Sequence, residues 1–504
     1  MIIHNIRYKV KNYFQSMNRE KILEMLFQIM ILSSFWGAVL LPITVPGIGE
    51  IFLFRVALLL FFCFYLYDII KKKQNPLKGC TKIEKIVFIL VAIIVLYGII
   101  SLVRSIDFIF TFKKLFNLCF DLLFLISIIL YINNRRKVNI TMFNCLINVL
   151  LLQFMGIYEI FMGGIFSTHN NIYQRFPFFD LRLLQPPIVS FVNENDYTST
   201  LLFCVPFLVM FLLYHYQNTN KKEYKFLLLS ILVFIISSSY FIVKVSSSRL
   251  VMLAFSFTLI GIVLFSILFQ RKLFKMVLIC FLCITFVFLM ENYTVIRVKT
   301  INYINTVKYE IELRNNDKDE VKKPVILEIP TLPSKNNVSI IDQFIQVDEN
   351  TNEVTVNSDT SAGVRVKLMM FAMKTFLDSK GLGVGLGNTE QLAKVVADEQ
   401  LGGLWSLHCF PIRLIADMGI FILFPVTILM LMILKNFFSI ISKYYKKGLR
   451  NKSIIVFTII SILCFPFLVT SSSDAQDLLG MWLYIAGIII IMKSPELFFI
   501  NEIV

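Results

Sequence analysis

Two arginines and one histidine are the residues of this chain best suited to hold an anion and to move a proton. Arg249 follows a run of three serines, Arg365 lies in an amphipathic segment, and His408 lies where a polar stretch gives way to an apolar one. Arginine presents a planar fork of donors that binds two phosphate oxygens at once and keeps its proton. Imidazole, with an ordinary pKa of about 6.5, accepts a proton from a hydroxyl group at ambient pH. These residue types predict a site that binds a diphosphate and activates a hydroxyl group.

Five further residues are candidates for binding a substrate near these three. Arg175 and Arg182 lie in a long polar loop, and Asn388 ends a run of glycines. Arg413 and Asp417 are four residues apart, so they share one helix face and either neutralise each other or leave Asp417 to orient Arg413. Any single arginine at a membrane surface also has a simpler interpretation, which is contact with lipid headgroups.

No motif in the sequence predicts a metal ion or a cofactor. The run GLGVGLGN at 381–388 lacks the lysine and the preceding buried strand of a nucleotide-binding loop, so its glycines are better explained by a sharp turn or a close backbone approach. The acidic group DKDE at 317–320 is flanked by basic residues and is typical of a solvated turn. Cys280 and Cys283 form a CxxC inside an apolar segment without acidic or histidine neighbours, which favours plain packing.

The composition identifies the protein as one that lies in a membrane. Of 504 residues, 57% are hydrophobic and only 16% are charged, and 50 are phenylalanine. No soluble domain can bury that much apolar surface, so the bilayer must act as solvent. The formal charge of +16 is spread over short loops between apolar segments, which is the pattern of the positive-inside rule and argues against binding of nucleic acid.

The apolar segments predict an all-α integral membrane protein with about twelve transmembrane helices. Segments of roughly 18 to 25 apolar residues can cross a bilayer. With the N-terminus in the cytoplasm, the inside segments carry 27 lysines and arginines and the short outside segments carry 7, which sets the orientation. The predicted spans are 22–41, 51–70, 83–103, 115–132, 140–161, 197–216, 226–243, 250–269, 273–290, 410–434, 453–470 and 478–492.

This orientation places two long loops on the extracytoplasmic side. The first covers residues 163–196 and the second covers residues 291–409. Within the second loop, residues 300–360 are polar and contain alternating segments such as VKYEIEL and NEVTV, which predict a small β-rich insert. Residues 361–378 have helical apolar spacing and predict an amphipathic helix on the outer membrane surface. The chain therefore divides into residues 1–290, 291–409 and 410–504.

Arg55, Asp121 and Glu159 are charged residues inside predicted spans. Charges are costly in lipid, so all three are expected to face the interior of the helix bundle. They either line a path for a transported ion or act as paired structural contacts, and the sequence alone leaves both interpretations open.

Four segments of the chain resemble the O-antigen polymerase and ligase superfamily, which includes Wzy-type repeat-unit polymerases, lipopolysaccharide O-antigen ligases and teichuronic acid polymerases. The segments are FVNENDYTSTLLFCVPFLV, SSSRLVMLAFSF, the Arg365 helix leading to LGVGLGN, and LHCFPIRLIADMGIF, and they occur in the family's order between about residues 150 and 440. Asp417 stands where the family usually has a glutamate, and Cys409 where an asparagine is frequent.

The resemblance implies a metal-independent, inverting glycosyltransferase of the membrane-embedded GT-C-like type, without a cofactor. Its substrate would be an undecaprenyl-diphosphate-linked oligosaccharide at the outer face of the bacterial cytoplasmic membrane. By resemblance, Arg249 and Arg365 hold the diphosphate, His408 activates the acceptor hydroxyl group, and Arg182 corresponds to a basic residue of the first outer loop. Flippase and chain-length regulator proteins are the expected partners.

Two other functions compete with repeat-unit polymerisation for capsule, O-antigen or teichuronic-type polysaccharide. A ligase would transfer the finished glycan to a lipid or protein acceptor, and the motifs do not encode which acceptor is used. A lipid-linked glycan flippase or another transporter would also have many spans and buried charges. Transporters concentrate polar groups near the membrane midplane, however, whereas this chain concentrates its arginine, glycine and histidine in the outer loops.

Overall fold

The computed structural model describes thirteen helices and four short strands within the following residues: 19–36, 43–45, 49–73, 75, 79–162, 189, 194–246, 248–269, 345–347, 354–356, 361–400, 409–445, 464–465, 478–494 and 497. At Arg249 and Arg365 the structure describes the backbone alone. The helices are α1 Arg19–Ser33, α2 Leu53–Lys71, α3 Lys82–Val103, α4 Phe108–Tyr131, α5 Arg135–Met162, α6 Glu194–Asn218, α7 Lys222–Val245, α8 Arg249–Phe269, α9 Ser361–Asp378, α10 Asn388–Gln400, α11 Phe410–Met418, α12 Ile420–Tyr445 and α13 Leu479–Lys493.

Seven of the described helices, α2 to α7 and α12, are long and apolar enough to cross a membrane. A helix rises about 1.5 Å per residue, so 18 or more residues are needed to cross the hydrocarbon layer. Large apolar side chains stay exposed on these helices, for example Phe424 at 63% and Leu431 at 61%. Such surface is stable only in lipid, and the prediction of a helical, multi-pass membrane protein is confirmed.

The count of twelve spans stays a prediction. Helix α1 overlaps the first predicted span, and the apolar helices α8 and α13 overlap two others, but their described apolar parts are shorter than a full crossing. The predicted span 273–290 and most of 453–470 lie outside the described residues.

The predicted span 410–434 differs from the structure because the helix breaks at Gly419. Helix α11 ends at Met418 and the membrane-crossing helix α12 begins at Ile420. Gly419 has φ 59° and ψ −141°, a conformation that is essentially restricted to glycine. The N–H of Ile420 donates to the carbonyl of Gly381 at 2.9 Å, which fixes the break against the glycine run.

Replacing Gly419 with alanine is expected to destabilise the protein by about 3 kcal/mol, because strain and overpacking add. A Cβ at this position would overlap the carbonyl oxygen of Gly381, and backbone atoms cannot move aside cheaply. Gly79→Ala is the matched control, since Gly79 also has positive φ but has no atom within 4 Å of the added Cβ. That variant should lose only about 1 kcal/mol. Equal thermal unfolding midpoints for the two variants in detergent would refute the steric argument.

Two antiparallel strand pairs are described. Strand β1 Ile43–Val45 pairs with β2 Gly49–Ile51, and β3 Ile345–Val347 pairs with β4 Val354–Val356. Strand β4 lies in the predicted segment NEVTV of the polar insert, whereas VKYEIEL lies outside the described residues. The β-rich insert as a whole therefore stays a prediction.

Helix α3 connects the two ends of the described bundle. At its start, Thr81 and Glu84 form a capping box, and Glu84 also accepts a hydrogen bond at 2.8 Å from Lys493 at the end of α13. Near its other end, the hydroxyl group of Tyr97 contacts the glycine run. Glu84 and Tyr97 are separated by about 20 Å along the helix axis. Since α3 also packs against α4, α12 and α13, it supports the candidate site described next.

Candidate functional site

Helices α9 and α11 lie side by side and end at the same place. Leu368 and Ala372 of α9 form a small buried cluster with Ala416 of α11, and Ile412 packs against this cluster. The loop that follows α9 then runs beside the last turn of α11, where the N–H of Val384 donates to the carbonyl of Ala416 at 3.1 Å. The two helices pack side by side, and their C-terminal ends lie next to each other. They therefore run parallel.

This parallel packing limits the distance between two segments that carry predicted catalytic residues. Arg365 precedes the end of α9 by about 20 Å along the axis, and Cys409 precedes the end of α11 by about 14 Å. Measured along the parallel helix axes, the backbone of Arg365 therefore lies about 6 Å from the level of Cys409, which is roughly one helical turn. His408 directly precedes Cys409 in the chain and lies outside the described residues.

The glycine run packs its backbone directly against the backbone of α11. The N–H of Gly385 donates to the carbonyl of Asp417 at 2.8 Å, and the hydroxyl group of Tyr97 donates to the carbonyls of Leu382 and Asp417, both at 3.0 Å. A Cβ at Gly383 would lie 2.5 Å from the carbonyl oxygen of Asp417. Only glycine permits this approach, which agrees with the interpretation drawn from the sequence.

The carboxylate of Asp417 holds the start of α10. Its Oδ2 accepts the N–H of Gly387 at 2.9 Å, and its Oδ1 accepts the N–H of Thr389 at 3.0 Å. These are backbone donors at a helix N-terminus, where a negative charge is also favoured by the helix dipole. Burial raises the pKa of Asp417 above its ordinary value, and the hydrogen bonds from Thr389 and Gly387 and the charge of Arg413 oppose that rise.

Asn388 joins the same loop to the turn between α3 and α4. Its Oδ1 accepts the N–H of Ile106 at 3.2 Å, while its Nδ2 donates to the carbonyls of Arg104 at 3.2 Å and Val384 at 2.8 Å. The side chain is 2% exposed. The Asn388 side chain therefore hydrogen-bonds backbone groups of both the α3–α4 turn and the glycine run.

A buried charge cluster, formed by Lys114, Glu390 and Arg413, lies beneath the loop. The Glu390 carboxylate is 3.5 Å from Lys114 Nζ and 3.6 Å from Arg413 Nη1. The side chains of Glu390 and Arg413 are only 6% and 3% exposed. One carboxylate therefore lies between two cations contributed by α4 and α11, and it connects three helices.

Sequence reasoning missed Glu390 and Lys114 as members of this cluster. The predicted span 115–132 leaves Lys114 outside the membrane helix, whereas α4 begins at Phe108 and carries Lys114 in its second turn. Helix α10 lies in the predicted outer loop 291–409, where apolar spacing predicts no helix other than 361–378. The signal that would have found it is the sequence Asn388-Thr389-Glu390, in which a favoured N-cap residue is followed by an acidic residue in the first turn.

Replacing Glu390 with glutamine is expected to destabilise the protein by about 3 kcal/mol, because it leaves two largely buried cations facing each other. Adding Lys114→Met to that variant should restore part of the loss, since one of the two cations is then gone. Glu223→Gln, at an exposed position of α7, is the control and should change stability by less than about 0.5 kcal/mol. Thermal unfolding in detergent measures all three, and an unchanged midpoint for Glu390→Gln would contradict the assigned role.

The structure brings together three of the eight predicted site residues: Asn388, Arg413 and Asp417. Arg249 begins α8 and Arg365 lies in the second turn of α9, both with only their backbone described. The predicted residues that lie outside the described part of the chain are Arg175, Arg182 and His408.

Two of the charged residues inside predicted spans, Glu159 and Arg55, have identifiable neighbours. The carboxylate of Glu159 accepts the N–H of Val189 at 2.8 Å, which connects the first predicted outer loop to α5. The guanidinium of Arg55 donates to Asn117 Oδ1 at 2.6 Å and lies over the rings of Phe52, Phe116 and Phe120. These contacts favour the structural interpretation for both residues; Asp121 is also buried.

Comparison with known protein families gives a match to the family described as O-antigen ligase, over residues 232–427. A comparison with curated proteins found no match. The matched segment includes Arg249, Arg365 and His408 and also the glycine run and all of α11. The resemblance to the O-antigen polymerase and ligase superfamily is thereby confirmed, and residues 232–427 of this multi-pass membrane protein match the O-antigen ligase family.

Proposed function

We propose that this protein is a membrane glycan polymerase that joins oligosaccharide repeat units carried on undecaprenyl diphosphate at the outer face of the bacterial cytoplasmic membrane. The observation that carries the proposal is the O-antigen ligase family match, because it covers Arg249, Arg365 and His408 together. The parallel packing of α9 and α11 adds support, since it brings the backbone of Arg365 within about one helical turn of the level at which α11 starts.

The proposed reaction is an inverting glycosyl transfer without a metal ion. His408 accepts the proton of the acceptor hydroxyl group, and the oxygen attacks the anomeric carbon of the donor glycan. The bond between that carbon and the diphosphate oxygen breaks, and the lipid diphosphate leaves with the electron pair. Arg249 and Arg365 stabilise the negative charge that develops on the leaving diphosphate. The growing chain on its carrier is the donor, and a single repeat unit on its own carrier is the acceptor.

In this proposal, Asp417 and Asn388 hold the helices and the loop of the candidate site in position. Asp417 ties α10 to α11, and Asn388 ties the glycine run to the α3–α4 turn. We assign both to positioning, because their polar groups bind the chain's own backbone. Direct contact with substrate, predicted for these two residues and for Arg413, Arg175 and Arg182, stays a prediction.

The side of the membrane is part of the proposal. The Glu84–Lys493 pair lies at the end of α3 that the charge distribution assigns to the cytoplasm, and the glycine run lies at the other end. That arrangement is consistent with an active site facing outward, where lipid-linked glycans are polymerised. Flippase and chain-length regulator proteins remain proposed partners.

The experiment that tests the proposal is reaction of the purified protein with a defined, lipid-linked repeat unit in detergent. A ladder of longer lipid-linked glycans supports a polymerase. Transfer of a supplied long glycan to a lipid or protein acceptor, without a ladder, supports a ligase instead, which is the activity named in the matched family's description. Detergent solution has no membrane gradient, so product formation there excludes a transporter as the source of the activity.

A further inference from the structure

An apolar cavity of ≈ 250 Å³ lies between α3, α4, α11, α12 and α13. Its walls include Val91, Leu125, Leu414 and Val426. Apart from the indole of Trp482, the lining side chains are hydrocarbon or thioether. The cavity is elongated, because the α12 residues that line it extend from Ile422 to Leu434, about 18 Å along that helix.

Water is a poor occupant of this cavity. By volume, the space would hold about eight water molecules at roughly 30 Å³ each, and each would need two to four polar partners. The lining residues offer almost none. Engineered cavities with similar walls stay dry and take up apolar molecules instead. Within a bundle of membrane-crossing helices, the available apolar occupant is a hydrocarbon chain.

Helix α11 places the cavity beside the candidate site. Phe410, Pro411 and Leu414 line the cavity, whereas Arg413 and Asp417 contact Glu390 and the glycine run from an adjacent face of the same helix. The helix begins at Phe410, two residues after His408 in the sequence. One short helix therefore has an apolar face on the cavity and a polar face on the buried charge cluster.

We infer that this cavity holds the isoprenoid chain of the lipid diphosphate during glycosyl transfer. The inference rests on the proposed function and adds to it a location for the lipid part of the substrate. An isoprenoid attached to a diphosphate is favoured over the acyl chain of bulk phospholipid, because the cavity adjoins α11, which carries Arg413 and Asp417 of the candidate site. Bulk lipid already has the outward-facing surface of α12 around Leu431, which is 61% exposed.

A photoreactive polyprenyl diphosphate, with a diazirine on its chain, tests the location directly. The full-length protein in nanodiscs of phosphatidylglycerol and phosphatidylethanolamine is irradiated with this probe, and the labelled peptides are identified by mass spectrometry. Labels are expected on cavity residues of α3, α12 and α13, and unlabelled polyprenyl diphosphate should displace them. Labels spread over exposed positions such as Leu431, without displacement, would overturn the inference.

Two tryptophan variants of α12 provide a matched comparison. Val426→Trp fills the cavity and should lower displaceable labelling at least about tenfold, since even one methylene changes binding in an apolar pocket by that factor. Leu431→Trp adds the same indole to the exposed face and should leave labelling unchanged. The wild-type label map decides the question if the first variant does not fold. A phosphatidylcholine probe with a diazirine on its acyl chain that labels the cavity equally, and resists polyprenyl diphosphate, would assign the space to bulk lipid.

The readout separates this inference from the proposed function. Labelling requires binding only, so labelling of the cavity without a glycan ladder would support the lipid site and contradict the proposed polymerase. A ladder that depends on His408, without displaceable label in the cavity, would support the polymerase and contradict this lipid site.

Discussion

Cells whose only copy of this protein carries His408→Ala are expected to accumulate single repeat units on the lipid carrier and to make no long polymer. Loss of a general base slows the chemical step by about 10² to 10⁴-fold. The variant protein should remain in the membrane at the normal amount, because His408 lies outside the predicted membrane spans. Gel analysis of lipid-linked glycans, beside an immunoblot of membranes, measures both quantities.

His169→Ala is the matched control for this experiment. His169 lies in the first predicted outer loop and is the other histidine that the charge distribution assigns to the extracytoplasmic side. The control should give polymer of normal length. Normal polymer from His408→Ala, or the single-unit product from His169→Ala, would contradict the assignment of His408 as the proton acceptor.

Asp417→Ala is expected to destabilise the protein by about 3 to 5 kcal/mol and to abolish polymer formation. The change leaves the buried N–H groups of Gly387 and Thr389 without their acceptor and removes an anion near Arg413. Because the same carboxylate connects α10 to α11, the support for the segment around His408 is lost as well. The midpoint of thermal unfolding in detergent and the glycan ladder are the two measurements.

Two variants separate the contribution of the carboxylate from a general effect of mutation. Asp417→Asn keeps one acceptor oxygen and turns an NH₂ group toward the second N–H donor, so it should fall between wild type and Asp417→Ala. Asp378→Ala changes an exposed aspartate at the end of α9 and should alter stability by less than about 0.5 kcal/mol. If Asp417→Ala unfolds at the same temperature as Asp378→Ala, the two backbone hydrogen bonds do not stabilise the loop.

Local patterns predicted the membrane helices well. Helix α9 has the bounds Ser361–Asp378 that apolar spacing indicates, and α2 to α7 lie close to their predicted spans. Long apolar segments between basic loops have few alternatives, since the backbone must satisfy its own hydrogen bonds in lipid. This part of the fold is encoded within about 20 consecutive residues at a time.

The candidate site depends on contacts between distant residues, and those could not be predicted from one sequence. In the sequence, Gly419 is an ordinary glycine inside an apolar segment. In the structure, the helix breaks there and the N–H of Ile420 donates to the carbonyl of Gly381. Likewise, Lys114 and Glu390 belong to different helices, and neither local pattern indicates the other. The sequence supplied the types of residue that do chemistry, whereas their mutual positions come from tertiary packing.

The last described helix imposes an order on biosynthesis. Helix α13 packs against α4 and α6, and Lys493 reaches back across 409 residues to Glu84. About 260 residues separate the end of α6 from the start of α13, so at ribosomal rates the early helices wait roughly 10 to 50 s for their neighbour. During that interval a gap between them is open to lipid or to an insertion chaperone. Closure of the bundle is therefore a late event, and truncation before α13 should send the nascent protein to membrane proteases.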